Sequence, residues 1–143
     1  MSQSVPAKTK DLEKTFCMIK PNATKNYEAI ATELEAAGFS IVRQAYCSLR
    51  LVDAEKLYQG HRGQCYYNKL LFFITSGQVV LMILERENAV QHLRDLMGDK
   101  DPAKAEEGTL RRKYGDPSNM TKNAIHGSDS KESAEREIAI FFS

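Results

Sequence analysis

Hydrophobic residues in this chain occur either as short continuous runs or as sets with helical spacing. The runs at residues 15–19 and 79–84 have the length of buried strands. Residues 39–51 are rich in β-forming side chains but alternate poorly, and they predict a third strand. The apolar pair at 124–125 precedes His126 and Gly127, which predicts a short fourth strand leading into a tight turn.

Helices are predicted where apolar residues repeat at three- and four-residue intervals. Gly38 and Gly98 follow two of these sets and are suitable helix C-terminal residues. Asp53 is expected to cap a further helix that contains Leu57, and residues 62–73 are expected to form an irregular or helical hairpin. The helical faces comprise Tyr27, Ile30, Ala31 and Leu34, then Val90, Leu93, Leu96 and Met97, and finally Ala134, Ile138, Phe141 and Phe142.

The predicted order of elements is β-α-β-(αα)-β-α-loop-β-α, which indicates a single domain over residues 14–143 preceded by a flexible N-terminal extension, residues 1–13. Two βαβ-like halves with an insertion predict an α/β fold of the α+β sandwich type. Its topology is ferredoxin-like βαββαβ, a four-stranded antiparallel sheet covered by helices, here expected on one face. Residues 100–122 form a long loop, which is usually functional in a compact domain. The fold alone decides no function.

Composition narrows the functional class without identifying it. The formal net charge is +1 and charged residues make up 27% of the chain, so no overall field attracts nucleic acid or an anionic membrane. Residues 1–14 are polar and predict neither a signal peptide nor an anchor, and no apolar run could span a bilayer. Cys17, Cys47 and Cys65 lack metal-site spacing and read as free thiols of a cytoplasmic protein.

The stretch most suggestive of catalysis is Asn-Ala-Ile-His-Gly-Ser-Asp-Ser, residues 123–130. Asp129 and Glu132 have capping-box spacing, so a helix is expected to begin directly after His126. An imidazole near a helix N-terminus lies where phosphate binds well. Glu137, two turns into that helix, could orient the ring. A lone histidine before glycine is more often structural, so the whole string matters more than His126 itself.

This string, with Ser-Ala-x-x-Glu-Ile after it, resembles the active-site signature of the nucleoside diphosphate kinases, and the resemblance extends from residue 15 to residue 142. It implies a ping-pong transfer of the γ-phosphate from a nucleoside triphosphate to a nucleoside diphosphate through a phosphohistidine at His126. It implies a catalytic set of His126, Lys20, Ser128 and Glu137. The nucleotide-binding set that it implies is Lys20, Tyr58, Tyr66, Arg94, Lys100, Arg111 and Asn123.

The resemblance also implies partners for the chain. Tyr66 stands where the family has a phenylalanine that stacks on the base, and stacking accepts any base because every base has a π-face. Mg²⁺ is expected to arrive on the nucleotide phosphates, since the sequence contains no dedicated carboxylate cage. A homo-oligomer is expected, and the short segment after the last helix favours a tetramer over a hexamer.

Some positions depart from the family pattern. Lys100 replaces a phosphate-contacting threonine, and Asn22 replaces a common aspartate. The turn after Lys20 is shorter than usual and the stretch around Met120 is longer. These departures leave open a regulatory relative that binds nucleotide but turns over weakly. A nucleic-acid-binding module is the other alternative, because ferredoxin-like sheets often bind RNA and residues 111–113 are basic, although no aromatic RNP-type strand is present.

Overall fold

The computed structural model describes residues 11–143. Its centre is one antiparallel sheet of four strands, in the order β2-β3-β1-β4, which confirms the predicted fold class. β1 is central and carries the short strand β4 at one edge, whereas β2 forms the opposite edge. The strand bounds are Leu12–Ile19 for β1, Ser40–Ser48 for β2, Gln78–Glu87 for β3 and Ile125–Gly127 for β4.

Helices cover the sheet on both faces rather than on the one face expected. The reason is that consecutive residues of β1 are all apolar: Phe16 and Met18 belong to one buried cluster, while Cys17 and Ile19 belong to the other. Since side chains alternate across a strand, a continuous apolar run requires cover on both sides. The helices are α1 (Tyr27–Ala36), α2 (Leu51–Leu57), α3 (Tyr67–Ile74), α4 (Ala89–Met97), α5 (Leu110–Tyr114) and α6 (Lys131–Phe142).

The two clusters divide the helices between them. Apolar residues of α1, α4 and α5, such as Leu34, Leu93 and Leu110, pack on one face of the sheet. Apolar residues of α2 and α3 pack on the other face, joined by Ile138 and the two phenylalanines at the end of α6. In the part of the chain described, no helix has the length and apolar character that crossing a bilayer requires.

Several predicted boundaries differ in the structure. β1 begins at Leu12, inside the predicted extension of residues 1–13, because Leu12 pairs with Glu87 of β3. Residues 1–10 lie outside the described part, so the prediction that they are flexible stays a prediction. Arg50, rather than Asp53, precedes α2, and Asp53 lies in its first turn, where it pairs with Arg50.

The two segments around the candidate motif also differ from expectation. The N-terminal cap of α6 is Ser130, whose side chain accepts a hydrogen bond from the Ser133 amide at 3.0 Å, so the predicted capping box of Asp129 and Glu132 is wrong. Loop 100–122 contains α5 and a short 3-10 turn, Met120–Lys122. The basic residues at 111–113 are therefore helical.

Candidate active site

His126 is placed by strand pairing. It lies in β4 opposite Met18 of β1, and the Lys20 amide donates to the Ala124 carbonyl at 2.8 Å. This ladder brings the end of β1 beside the histidine. Ala124 has φ 78°, a conformation that costs energy for any residue with a Cβ, and such strain persists only where the surroundings enforce it. Gly127 is required by close packing, because a Cβ there would lie 2.9 Å from Leu93.

A buried carboxylate holds the imidazole. His126 Nε2 and Glu137 Oε1 are 2.9 Å apart, and the Ser128 hydroxyl donates to the same oxygen at 2.7 Å. Arg136 contacts the other carboxylate oxygen at 3.4 Å. Glu137 is 4% exposed although it belongs to a surface helix, and these hydrogen bonds offset the cost of burying its carboxyl group. A carboxylate next to Nε2 favours the tautomer with the proton on Nε2, which leaves the Nδ1 lone pair available.

Nδ1 of His126 has no hydrogen-bond partner within residues 11–143. Aromatic rings fix the plane of the imidazole instead. The Tyr58 ring packs edge-on against it with centroids 5.6 Å apart, and the Phe16 ring lies 5.9 Å away. The Tyr58 hydroxyl is buried and finds no partner in the described residues. Burial raises the pKa of Tyr58, with the nearby Glu137 charge adding to the effect, so the hydroxyl keeps its proton.

Two adjoining cavities of about 610 and 350 Å³ open around the imidazole. The larger extends toward α4 and α6, and the smaller extends toward Met120 and the start of α3. Together they form one cleft, because His126 contributes to both. The other residues that line both cavities are Tyr58, His61, Lys100 and Arg111.

Cations face this cleft without carboxylate partners. Lys20, Arg94, Lys100 and Arg111 line it, and none of them forms an ion pair among residues 11–143. Unpaired arginine and lysine side chains around a cavity are suited to phosphate, arginine through planar bidentate contacts and lysine as a point charge. The carboxylates of Asp99 and Asp129 also reach the larger cavity, so the positive field is partly balanced at that end.

Burial changes the ionisation of two of these cations. Lys20 is 5% exposed, and desolvation, with a smaller contribution from the Arg111 charge, lowers the pKa of its ammonium to about 7. Desolvation also lowers the pKa of Arg111 to about 10. An anion in the cleft would raise the pKa of both groups and favour their charged forms, which in turn would attract the anion.

Arg111 and Asn123 also hold the walls of the cleft together. Arg111 donates to the carbonyl of Gly98 at 3.1 Å and to that of Ile125 at 2.9 Å. The Asn123 amide donates to the Lys100 carbonyl at 2.8 Å. Two further atoms, Arg111 Nε and Asn123 Oδ1, are buried without a hydrogen-bond partner in the described part of the chain. These two side chains thus position the loop after α4 against β4.

The residues predicted from the sequence therefore converge on one cleft. Ser128 is the exception, because it is fully buried behind the histidine and acts through Glu137. Sequence reasoning missed His61 and Met120, which line the cleft near Tyr66. Neither belongs to the histidine motif, and only the position of His61 three residues after Tyr58 could have drawn attention to it.

The basic run at residues 111–113 does not form a free basic patch. Arg111 is engaged as described, Arg112 donates to the Ala105 carbonyl at 2.9 Å, and Lys113 pairs with Glu33 at 2.5 Å. The observation that favoured a nucleic-acid-binding module therefore has a structural explanation.

An imidazole held by a buried carboxylate, in a cleft lined by unpaired cations, is typical of an enzyme that acts on phosphorylated substrates. A family model described as nucleoside diphosphate kinase matches residues 13–143. The chain belongs to the nucleoside diphosphate kinase family and is an enzyme of nucleotide phosphotransfer.

Solved structures of this family are similar to the chain over most of its length. The nucleoside diphosphate kinase of Aquifex aeolicus is 32% identical, with a TM-score of 0.86 over 92% of this chain and 96% of that one. The Halobacterium salinarum enzyme in complex with CDP is 36% identical, with a TM-score of 0.86 over 92% of this chain and 88% of that one. The apo Encephalitozoon cuniculi enzyme is 31% identical, with a TM-score of 0.86 over 91% and 88% of the two chains.

Proposed function

We propose that this enzyme transfers the γ-phosphate of a nucleoside triphosphate to a nucleoside diphosphate by a ping-pong mechanism through a phosphohistidine at His126. The observation that carries the proposal is the pairing of Nε2 with a buried carboxylate while Nδ1 has no partner among the described residues. A neutral imidazole in this state is a good nucleophile near neutral pH.

In the first half-reaction the Nδ1 lone pair forms a bond to the γ-phosphorus. The bond from that phosphorus to the bridging oxygen breaks, and the nucleoside diphosphate leaves with the bond electrons. Positive charge develops on the imidazole, and Glu137 stabilises it through the Nε2 proton. In the second half-reaction a terminal oxygen of another nucleoside diphosphate attacks the phosphorus, the bond from phosphorus to Nδ1 breaks, and His126 is regenerated.

The cations of the cleft would stabilise the charge that spreads over the phosphate oxygens during transfer. Lys20 is buried and Arg111 is half-buried, and partial removal from water strengthens their effect on a bound phosphate. Arg94 and Lys100 are exposed and would bind the outer phosphates. We assign Tyr58 and Asn123 to the walls around the phosphates and sugar, and Tyr66 at the mouth to stacking on the base.

The family uses a divalent cation for catalysis. Among residues 11–143 no group of three or more candidate metal ligands is present. The carboxylates that line the cleft are Asp99, Asp129 and Glu137, and Glu137 is already engaged by His126 and Ser128. Mg²⁺ commonly binds through substrate phosphates and one or two carboxylates, so these residues fit an ion carried by the nucleotide. Bound there, Mg²⁺ would neutralise phosphate charge.

The test is to mix the protein with γ-labelled ATP and Mg²⁺ and to look for acid-labile, alkali-stable label on the chain, followed by a chase with GDP. His126→Ala is the test variant and His92→Ala the matched control, because His92 lies on α4 away from the cleft. We expect label on the wild type and the control only, released as labelled GTP. A wild type that binds nucleotide but takes no label would favour the regulatory relative.

We also propose that the protein is a homo-oligomer, a tetramer in preference to a hexamer. The support for this proposal is the outer edge of β2, a strand that within residues 11–143 pairs on one side only, with β3. Tyr46 and Val42 on this strand are 64% and 41% exposed, and native proteins seldom leave such an edge uncovered. Light scattering at several concentrations tests this, with Val42→Lys expected to shift the protein to smaller species. A wild-type monomer at all concentrations would contradict it.

We further propose that the protein works in the cytoplasm. The support is that Cys65 is an exposed free thiol, a state typical of a reducing compartment. Fractionation of the source cells would test this placement.

A further inference from the structure

The loop between α2 and α3 forms the mouth of the cleft and has little packing of its own. Every residue from 59 to 66 is exposed. Gly60 and Gly63 stand in open space, with no heavy atom within 4 Å of where a Cβ would lie, and Gly63 has φ 91°. Backbone hydrogen bonds such as His61 N to Tyr58 O, at 2.9 Å, make the turns of this loop but do not fix its side chains.

One side-chain hydrogen bond lies within this loop in the described chain, and it joins His61 Nδ1 to the Tyr66 hydroxyl at 2.6 Å. Desolvation, followed by the charge at His126, lowers the pKa of His61, with Asp129 opposing the shift and Lys100 and Lys20 adding to it. With the His61 proton on Nε2 the Tyr66 hydroxyl donates to Nδ1, and with the proton on Nδ1 the Tyr66 oxygen accepts, so either neutral tautomer joins the two side chains by one hydrogen bond. The bond restrains a tyrosine ring that is 41% exposed.

His61 also connects the mouth to the inner end of the cleft. Its ring lies edge-on to the Tyr66 ring, with centroids 5.6 Å apart, and edge-on to the Tyr58 ring at 5.9 Å. The Tyr58 ring in turn contacts His126 at 5.6 Å. Aromatic rings at these separations attract one another. Tyr58 therefore restrains the His61 ring, and the His61 ring in turn restrains Tyr66.

We propose that His61 is a positioning residue for the nucleobase: through its hydrogen bond with the Tyr66 hydroxyl it holds the Tyr66 ring in the orientation on which the base stacks. This rests on the proposed function, in which a nucleoside diphosphate occupies the cleft with its phosphates toward His126. A ring that is already ordered loses less freedom when the base binds, so the bond raises nucleotide affinity without acting on the phosphates.

Calorimetric binding of two probes, ADP and tripolyphosphate, separates this role from a structural one, because tripolyphosphate has no base. We expect His61→Ala to raise the Kd for ADP about three- to tenfold, the range for ordering one side chain, and to leave the Kd for tripolyphosphate unchanged. Equal weakening of both probes, or no weakening of ADP binding, would overturn the proposal. His92→Ala is the matched control and should change neither constant.

A double-mutant cycle with Tyr66→Phe tests the hydrogen bond itself. Tyr66→Phe keeps the ring and removes only the hydroxyl, so its effect on ADP binding should be similar to that of His61→Ala, and the double variant should be no weaker than either. His61→Asn, whose short amide can reach the Nδ1 position, should restore binding better than His61→Gln. Additive losses, or equal rescue by both amides, would contradict the assignment.

The steady-state readout distinguishes this inference from the proposed function. In an exchange assay His61→Ala should raise the KM for the nucleoside diphosphate and leave kcat near that of the wild type. Absence of exchange in the wild type would refute the proposed function, whereas normal exchange with an unchanged KM in His61→Ala would refute only the role of His61.

Discussion

The inner end and the mouth of the cleft are built in opposite ways. At the inner end His126, Ser128 and Glu137 are buried or nearly so. Hydrogen bonds to Glu137 of α6 fix both His126 and Ser128. At the mouth the loop of residues 59–66 is exposed, and one side-chain hydrogen bond orders it within the described chain. From this comparison we expect the reaction to depend on the inner end and the affinity for substrate to depend on the mouth.

Energetic cost explains this contrast. A buried carboxylate is tolerated only when its partners are in place, so loss of one contact at the inner end leaves an unpaired charge. Lys100, which replaces a threonine of the family pattern, lies at an exposed position where a side chain can change with little cost to folding, whereas Asn22 is half-buried. Variants of the inner end should therefore change kcat, and variants of the mouth should change binding.

The largest effect is expected from His126→Ala. Removal of the nucleophile should lower exchange between ATP and GDP by at least about 10⁴-fold, as for other covalent catalysts. Nucleotide binding should persist, because the cations of the cleft remain. Exchange kinetics and calorimetry of the same preparations check this, and an exchange rate near that of the wild type would exclude His126 as the carrier.

Lys20→Met should come next. Loss of a buried cation beside the transferring phosphate should lower kcat about 10²- to 10³-fold, comparable to the loss of one oxyanion-hole donor. Lys25→Met is a matched control, because Lys25 is an exposed lysine of the 3-10 helix Pro21–Asn26, which begins directly after Lys20. If both variants behaved alike, the assignment of Lys20 to the reacting end would be wrong.

The same lysine predicts a pH dependence of stability. Burial lowers the pKa of Lys20 from 10.5 to about 7, so between these pH values the unfolded chain holds a proton that the folded chain has released. Stability rises with pH wherever the unfolded state binds more protons. The free energy of unfolding of the wild type minus that of Lys20→Met should therefore increase from about pH 7 to pH 10.5. Urea unfolding across this range checks it, and a pH-independent difference would contradict the shift.

Glu137→Gln should have a smaller effect on rate. The amide can still accept from Ser128 but does not stabilise a positive imidazole, so kcat should fall about 10- to 100-fold, the range for losing a carboxylate that supports a metal-bound histidine. KM should stay close to that of the wild type. A rise in KM with unchanged kcat would place Glu137 in binding instead.

Lys100→Thr should have the smallest effect and should act at the mouth. An exposed charge facing a phosphate contributes up to about 1 kcal/mol, so the KM for nucleotide should rise by at most about fivefold with kcat unchanged. The dependence of KM on salt should also become weaker, since one screened contact is lost. A large fall in kcat would show that Lys100 belongs to the reacting end.

The sequence was most informative about those residues of the site that lie close together along the chain. His126 and Glu137 lie within twelve residues, so the orienting role of Glu137 could be inferred along the chain, whereas the roles of Ser128 and of His126 as phosphate carrier came from the family resemblance. The fold class followed from the order of apolar runs. The choice of Ser130 over Asp129 as the helix cap could not be read in the same way, because both side chains can cap and the geometry of the turn decides.

Contacts between distant segments were harder to anticipate. His61 lies far from the motif along the chain, and its place at the mouth depends on how the α2–α3 loop lies beside Lys20 and His126 in the folded chain. The cover on both sheet faces was missed for a different reason: the continuous apolar run of β1 was used to place the strand and not to count the faces that it buries. The position of His61 thus depends on tertiary packing, whereas the two-sided cover follows from a local pattern.

The most direct test of the account is to identify the imidazole nitrogen that carries the phosphate. Phosphorus NMR of the enzyme trapped after reaction with ATP, compared with authentic phosphohistidine isomers, gives this answer. Because Glu137 holds Nε2, the account predicts a single signal from phosphate on Nδ1 of His126 that disappears when GDP is added. Phosphate on Nε2, or on a residue other than His126, would contradict it.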